Sequence, residues 1–488
     1  MLNEAPYQIP DTWTWASLDE LLETLESGIR PKGGVKKYSE GVPSIGGEHL
    51  DGKGGFRFDN IRFVPRDYYQ NMKRGKIKNL DILVVKDGAT TGKTSIVAPD
   101  FPFKEAAVNE HVFILRTRRE ILEPYYLFRF LSSIQGQNQI LQRFQGTAQG
   151  GINSKFVEGF PIPLPPLAEQ RRIVARVEAL LAESKTAREA LDKVPVLLRR
   201  FRQSVLAKAF RGELTQRDPN DEPAQKLLQK IKQETQTTLI DEEEEQPLNL
   251  PKLPEGWIWI KFGNLIESMK NGLYKPLRFY GQGIPCLRMY NIEDGKIVWK
   301  NVKEMTLSEK EIEDYSLQEN DILLNRVNSR ELVGKAAIIP KGIDKVVFES
   351  KNIRIKVKQD FVDPRYINYF LLTRYARDQI ELECKQTVGM ATVSQEDIKS
   401  WFIPYTSINE QRCVVSKIEE AFQLSDQIEL AVKKARERAE RIDQAILAKA
   451  FRGELVPQDP NDEPASVLLQ RLKTKTKQQT TIQTKLTN

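Results

Sequence analysis

Two long stretches of this chain alternate apolar and polar residues with a helical period. From Ile173 onward, apolar or small residues fall at Ile173, Val177, Leu180, Ser184, Ala187, Leu191, Val194, Leu198, Phe201 and Val205. The steps alternate four and three, which is the spacing of the a and d positions of a coiled coil. The same pattern returns at Val414, Ile418, Ala421, Ser425, Ile428, Val432, Ala435, Ala439, Ile442 and Ile446. Charged residues such as Arg188, Glu189, Lys433 and Glu437 take the other faces. Arg211-Gly212 and Arg452-Gly453 follow the seams and supply helix terminators. A helix from Glu169 to Phe210 would be roughly 60 Å long at ~1.5 Å per residue. Pro195 removes one backbone donor from the first copy, and Arg436 stands opposite it in the second. Each stripe could pack on its own domain. Ten consecutive seam positions exceed what one globular face needs, so the expectation is an antiparallel pair of helices with pseudo-twofold symmetry.

The two helices belong to an internal repeat. LAKAFRGELTQRDPNDEPAQKLLQKIK, from Leu206 to Lys232, returns as LAKAFRGELVPQDPNDEPASVLLQRLK, from Leu447 to Lys473, with 20 of 27 positions identical at an offset of 241. Glu169-Gln170-Arg171 matches Glu410-Gln411-Arg412 at the same offset. Weaker echoes reach into the rest of each half: Trp13-Thr14-Trp15 with Trp257-Ile258-Trp259, Asp81-Ile82-Leu83 with Asp321-Ile322-Leu323, and Gly92-Lys93 with Gly334-Lys335. Two copies with so long a period form a duplicated pair of domains and not a solenoid. Each half is thus a divergent module followed by a near-fixed helical segment. Near-fixed copies are expected to fit each other, or one partner, in equivalent ways; divergent copies are expected to touch different things.

Inside the modules the period changes. Asp81–Val85, Val112–Leu115, Asp321–Leu324 and Ile353–Ile355 read as buried strands, while Pro124–Leu131 and Pro364–Leu371 read as helices with proline in the first turn. The fold class expected is mixed, α/β or α+β. The boundaries expected are residues 1–166 and 251–407 for the modules, 167–215 and 408–457 for the helical segments, 216–250 for a polar linker, and 458–488 for a tail. The linker holds the acidic run Asp241–Glu245 and room for one short helix near Leu227-Leu228. The closing KTKTKQQTTIQTKLTN shows no apolar period.

Composition narrows the functional classes. The chain has 488 residues, 74 basic against 67 acidic, for a formal net charge of +7, a balance that permits nucleic-acid binding without establishing it. Three cysteines, Cys286, Cys384 and Cys413, share no C-x-x-C spacing, which argues against a disulfide framework or zinc ribbon and fits a cytoplasmic location. No apolar run approaches the ~18 residues of a membrane span. Basic and glycine-rich loops recur at matching places in the two modules. The first offers Arg30, Lys32, Lys36 and Lys37, then Lys73, Arg74 and Lys76, then Lys93. The second offers Lys270, Lys275, Arg278 and Arg288, then Asn325, Arg326, Asn328 and Arg330, then Lys335. Lysine and arginine on loops suit phosphates, and Asn or Arg beside them suits base edges. These are the candidate DNA-binding residues. The candidate helix-pairing residues are Ile173, Val177, Leu180, Leu191, Leu198, Phe201, Val414, Ile418, Ile428, Val432, Ile442 and Ile446.

No catalytic or metal-ligating residue is assigned. Gly88-Ala89-Thr90-Thr91-Gly92-Lys93-Thr94 has three residues between its glycines where a phosphate-binding P-loop needs four, and Asp87 stands where the first glycine should. The chain's two histidines, His49 and His111, sit in no metal-ligand spacing, and the second module has none. Nucleophile elbow, H-E-x-x-H, dinucleotide fingerprint and aminomethyltransferase quartet are all missing from the sequence.

The segments Pro166-Leu167-Ala168-Glu169-Gln170-Arg171-Arg172-Ile173-Val174 and Asn409-Glu410-Gln411-Arg412-Cys413-Val414-Val415, with the doubled LAKAFRGEL…DPNDEPA, resemble the specificity subunit of Type I restriction-modification systems. The resemblance covers essentially the whole chain. It implies that the modules are two tandem target-recognition domains, each reading half of a split double-stranded DNA target, and that the helices fix the gap between halves. It implies a non-catalytic subunit with two methyltransferase and two helicase-nuclease partners. S-adenosylmethionine, ATP and Mg2+ would belong to those partners, with no cofactor on this chain. A stand-alone bipartite DNA-binding protein and a fused restriction-modification enzyme are the alternatives. The sequence names neither target bases nor spacer length.

Overall fold

The computed structural model describes residues 6–35, 37–52, 54–146, 150–235, 250–387 and 389–474. It is mixed α and β. Two long helices, Leu167–Ala209 and Ile408–Phe451, occupy the regions of helical period, and the first continues through Pro195. The chain divides into two compact units, and the division falls inside both helices. One unit comprises residues 1–192 and 433–488, the other residues 193–432. Each unit therefore holds one module, the start of one long helix and the end of the other.

The first unit is built on a four-stranded antiparallel sheet ordered Leu22–Ser27, Val112–Thr117, Ile82–Val85, Thr94–Ile96. Beside it lies a three-stranded sheet in which Val42–Ile45 pairs antiparallel with Arg62–Val64 and parallel with Ala107–Val108. The expected strands at Ile82 and Val112 are central, which explains their unbroken apolar runs. The helix Pro124–Ser132 starts with proline where a missing N–H costs nothing. The second unit repeats this plan. Its four-stranded sheet runs Ile266–Asn271, Asn352–Val357, Ile322–Asn325, Ala336–Ile338. One of its two three-stranded sheets among the described residues sets Tyr280–Leu287 antiparallel to Lys303–Met305 and parallel to Val347–Phe348. The Gly-Lys echo has a structural cause. Gly92 and Gly334 both have positive φ, and a Cβ at either would press on Ile140 or Ile380 of the helix behind.

Each near-identical segment packs on the module of the other repeat. Leu206, Ala209 and Phe210, at the end of the first helix, lie in one core with Trp257, Tyr366 and Phe370 of the second module. The Phe210 ring meets Tyr366 and Phe370 edge-on at 5.0 and 5.3 Å. Leu447, Ala450 and Phe451, at the end of the second helix, lie in the core of the first module, and Phe451 meets Tyr126 and Phe130 at 5.3 and 5.0 Å. The glycines after the helices, with φ of +70° and +75°, close against Pro254 and Pro10. The stretch that follows, DPNDEPA, docks as well: Ala224 N–H donates to Gly256 O at 3.1 Å, and Ala465 N–H to Thr12 O at 3.2 Å.

Parts of the expected linker and tail are packed on the modules, and the linker holds the short helix expected near Leu227-Leu228. The polar stretch 216–250 contributes the helix Ala224–Thr235, whose Ala224, Leu228 and Ile231 are buried in the second unit's core. Residues 465–474 are also helical, with Ala465 buried in the first unit's core. The acidic run 241–245 and residues 475–488 lie outside the described residues.

The seam residues divide by position. Ile173 and Val177 are buried in the first module's core, and Val414 and Ile418 in the second's. Ile446 packs against the first unit's core, and Val432 is buried. Leu180, Leu191 and Leu198 are half-buried. Phe201, Ile428 and Ile442 are more open, at 41%, 38% and 45% exposed. Where only two helices meet, an apolar side chain has one facing helix to hide against and keeps an open flank. Ion pairs mark the antiparallel register there. In the first unit Arg188 pairs with Asp443, and Arg436 with Asp192 at 2.6 Å. In the second, Arg202 reaches Asp426 at 2.5 Å and Glu429 at 3.6 Å. By the 241-residue offset Arg188 corresponds to Glu429 and Asp443 to Arg202. The same contact is made twice with its charges exchanged. A helix paired with its own copy would set Arg188 against Arg202, or Glu429 against Asp443, and like charges repel.

Phe451→Ala should destabilise the first module by about 3–5 kcal/mol, as removal of a buried aromatic ring does. Amide exchange should rise around residues 124–131 although these lie more than 300 positions away in sequence. Phe210→Ala should raise it around 364–371. The opposite assignment of the two responses would refute the reciprocal packing.

Candidate nucleic-acid interface

In each unit the sheet order gathers four loops at one edge. In the second unit, antiparallel pairing places the end of Ile266–Asn271, the start of Asn352–Val357, the end of Ile322–Asn325 and the start of Ala336–Ile338 together. The parallel pair of Leu287 with Phe348 brings residues 288–291 and 349–351 to the same corner. Backbone bonds stitch it: Gly272 N–H to Asn352 O at 3.0 Å, Leu273 N–H to Phe348 O at 3.1 Å, and Arg326 N–H to Lys351 O at 2.8 Å. Lys270, Arg288, Arg326, Arg330 and Lys335 of the sequence-based set lie on the loops at this corner, while Lys275 and Arg278 lie on the segment that leads to the other end of the strand Tyr280–Leu287. Lys351 joins those at the corner.

Several of these cations are tethered. Lys270 pairs with Asp314 at 3.0 Å and lies over Tyr315; Lys275 pairs with Glu311 at 2.5 Å. The Lys275 contact, with the Ser308 backbone, holds the Glu311 carboxyl down to about 2. Arg288 donates through Nε to Glu349 at 2.8 Å. Arg278 and Arg330 are exposed, and Arg326 is half-buried. Lys335 is half-buried, and burial pulls its ammonium below the ordinary lysine value, against Glu293 and Asp294 nearby. Two aromatic side chains, Tyr274 and Tyr290, are exposed on the same loops.

Asn325 and Asn328 do not belong to the exposed set. Asn325 is fully buried and donates through Nδ2 to Lys351 O at 3.0 Å and Asn352 Oδ1 at 3.1 Å; Asn328 Nδ2 donates to Asn325 Oδ1 at 2.7 Å. The strand runs one residue further than its apolar pattern, so these amides face inward and fasten the loops. In the first module Val85 and Val112 take the places of Asn325 and Asn352, and both are buried.

The first unit's edge is formed likewise. Lys86 N–H donates to His111 O at 2.8 Å and Asn109 N–H to Ile45 O at 3.0 Å. Arg30 pairs with Glu110 at 2.7 Å, Lys32 is exposed, and Lys37 lies 5.1 Å from the Tyr38 ring. Gly75 approaches Gly28 so closely that a Cβ would sit 2.8 Å from its Cα, which sets the loop carrying Lys73, Arg74 and Lys76 beside the Arg30 loop. Lys73 and Arg74 are exposed, and Lys76 is bound to Gln70 O at 3.0 Å. Lys93 turns toward Leu50 O at 3.3 Å. Lys36 lies outside the described residues.

Sequence reasoning missed Lys86, His111 and Lys351. Lys86 is the structural counterpart of Arg326, and His111 of Lys351; each stands alone in sequence, so a search for basic clusters passes over it. His111 Nδ1 is 2.6 Å from Asp87 Oδ1. His49, by contrast, is buried, accepts from Gly46 N–H at 2.8 Å through Nδ1, and burial keeps its pKa below the ordinary value. Among the described residues no His, Cys, Asp and Glu group could hold a metal ion, and no helix is long and apolar enough to cross a membrane.

Residues 10–194 and 244–435 match the family model described as the Type I restriction modification DNA specificity domain. The chain belongs to this Type I specificity family. It is 27% identical over 482 residues to the Type I restriction enzyme EcoKI specificity subunit of Escherichia coli K12, covering 96% of both chains. It is 27% identical over 481 residues to the StySPI specificity subunit of Salmonella potsdam, again covering 96% of both. Among solved structures, the HsdS subunit from Thermoanaerobacter tengcongensis superposes with a TM-score of 0.54 at 21% identity, over 92% of this chain and 99% of that one. A chain from a study of Type I R-M complex assembly and conformational transition gives 0.66 at 21% identity, over 92% and 100%. These two carry the fold. The specificity family assignment rests on the doubled domain and the full-length relatives.

Within this family member, Asn325→Ala should cost about 1–3 kcal/mol of stability by stranding buried hydrogen-bond partners. The double change Asn325→Val with Asn352→Val, copying the first module, should recover most of it. Denaturant unfolding reads both, and an unaltered midpoint for Asn325→Ala would show that the amide chain does not fasten the loops.

Proposed function

We propose that this chain is the non-catalytic, sequence-reading subunit of a Type I restriction-modification complex, binding a bipartite, asymmetric site in double-stranded DNA with one module per half. The observation that carries this reading is the contrast between repeats. The helical segments are nearly identical and pack in equivalent ways, while the loops at the matching edge differ almost everywhere. Invariant scaffolds with divergent loops are what two readers of different sequences require. Exposed cations such as Lys32, Lys73, Arg74, Arg278 and Arg330 supply phosphate contacts, which position without specifying. In this reading the loops at 46–49 and 288–291 are among those that approach base edges.

In this reading the reaction chemistry lies elsewhere. Two methyltransferase subunits bring S-adenosylmethionine and modify adenine, and two helicase-nuclease subunits bring ATP and Mg2+. The repeated helical segments offer them equivalent docking surfaces, consistent with two copies of each partner.

Co-expression with a Type I methyltransferase subunit from the same genome, followed by mapping of methylated adenines, tests the reading. A single motif of two unlike halves with a fixed gap is expected. Methylation by this chain alone, or a motif with two identical halves, would contradict it. Lys73→Ala should weaken DNA binding about equally on all sequences and lower the salt-dependence slope by about one.

A further inference from the structure

The turn at residues 288–291 shares its backbone plan with residues 46–49 of the first module, although all four side chains differ. Arg288 N–H donates to Asn291 Oδ1 at 3.0 Å across a short 3-10 turn, and Gly46 N–H donates to His49 Nδ1 at 2.8 Å across the matching turn. The preceding strands pair in parallel with equivalent partners. The backbone is therefore held the same way while the residue at its head changes from glycine to arginine. A Cβ on Gly46 would meet Glu48 Oε2 at 2.3 Å and Asn109 Nδ2 at 2.7 Å, so the first module fills the space that Arg288 occupies with an exposed glutamate and an amide.

Arg288 is oriented from one side only. Its Nε donates to Glu349 Oε2 at 2.8 Å, and the other oxygen of that carboxylate accepts from Met289 N–H at 3.2 Å. The Glu349 side chain is 8% exposed, against 29% for Arg288. One NH1 hydrogen goes to Tyr290 Oη at 2.6 Å, and the guanidinium carbon lies 4.9 Å from the Tyr290 ring and 5.8 Å from that of Tyr280. A guanidinium carries five N–H donors. The two bonds leave three, all on the terminal nitrogens, and these have no partner among the described residues. Two other tethered cations differ: Lys270 and Lys275 each end in an ion pair and present no planar fork.

We propose that Arg288 is a guanine-reading residue. The NH1–NH2 edge, fixed in plane by Glu349 and Tyr290, donates to O6 and N7 of one guanine in the major groove of the half-site bound by the second module. Paired acceptors at that spacing are presented by guanine and by no other base there. The fixed carboxylate removes the rotamer freedom that a free arginine would lose on binding. The proposal rests on the DNA-reading function and names the base at one position.

The test uses the full chain co-expressed with its methyltransferase partner, with motif mapping for the wild type, Arg288→Ala and Arg288→Lys. The wild type should give a split motif containing at least one G·C pair in the second module's half. Both variants should relax one guanine position, with discrimination there falling about 5- to 150-fold and the remaining positions kept. Lysine keeps the charge and loses the fork, so relaxation in Arg288→Lys separates base reading from phosphate contact. An unchanged motif in Arg288→Lys together with uniformly weaker methylation in Arg288→Ala would overturn the proposal, as would an unchanged motif in both. Should the alanine variant fail to fold, Arg288→Gln, whose amide pairs a donor with an acceptor and so suits adenine, takes its place. Absence of any split motif from the wild type would instead overturn the DNA-reading function on which the proposal depends.

Discussion

Each module of this protein has an apolar face that its own contiguous chain leaves uncovered, and a phenylalanine at the C-terminal end of the other repeat's long helix covers it. Phe451 closes on Tyr126 and Phe130, and Phe210 on Tyr366 and Phe370. Much else follows from that burial. The helix must end where the ring seats, which puts Gly212 and Gly453 in positive φ against Pro254 and Pro10. The chain must then double back along the module, which is why DPNDEPA is kept in both copies and why Ala224 and Ala465 are buried. Near-identity of the segments is the sequence trace of one docking problem solved twice.

The helices between these seats obey a different rule. Their flanks stay partly open, and exchanged charges mark the register in place of a dry seam. Ion pairs of this exposure contribute little stability, so their value lies in choosing partner and alignment. The Arg188–Asp443 and Arg202–Glu429 contacts accept the unlike helix and oppose the like one. A duplicated helix is in particular need of such a device, because its own copy offers the same apolar positions.

Much of this was legible in the sequence. The 241-residue repeat gave the duplication, the four-three spacing the long helices, and the apolar runs at Ile82 and Ile322 the central strands. The crossed docking was not legible, since two nearly identical segments fit either module equally well on paper. The asparagines were misread for a related reason. Asn325 ends a strand and precedes a basic loop, and nothing local distinguishes an amide that faces a groove from one that fastens Asn352 beneath it. Lys351 and His111 were missed because their significance comes from the sheet edge that gathers them, and that edge is a tertiary property. Arg288 was found as a cation, but its meaning depends on Glu349, 61 positions away, which holds the fork still.

The central claim is that neither module is complete without the other repeat's helical segment. Cleaving the chain at a protease site introduced after the helix that ends at Thr235, and then examining the product by native mass spectrometry, tests it most directly. Reciprocal docking predicts one 1:1 complex of the two fragments that resists dilution and keeps the exchange protection of the uncut chain. Separation into two stable, fully protected fragments would show that each module folds on its own segment, and would contradict the account.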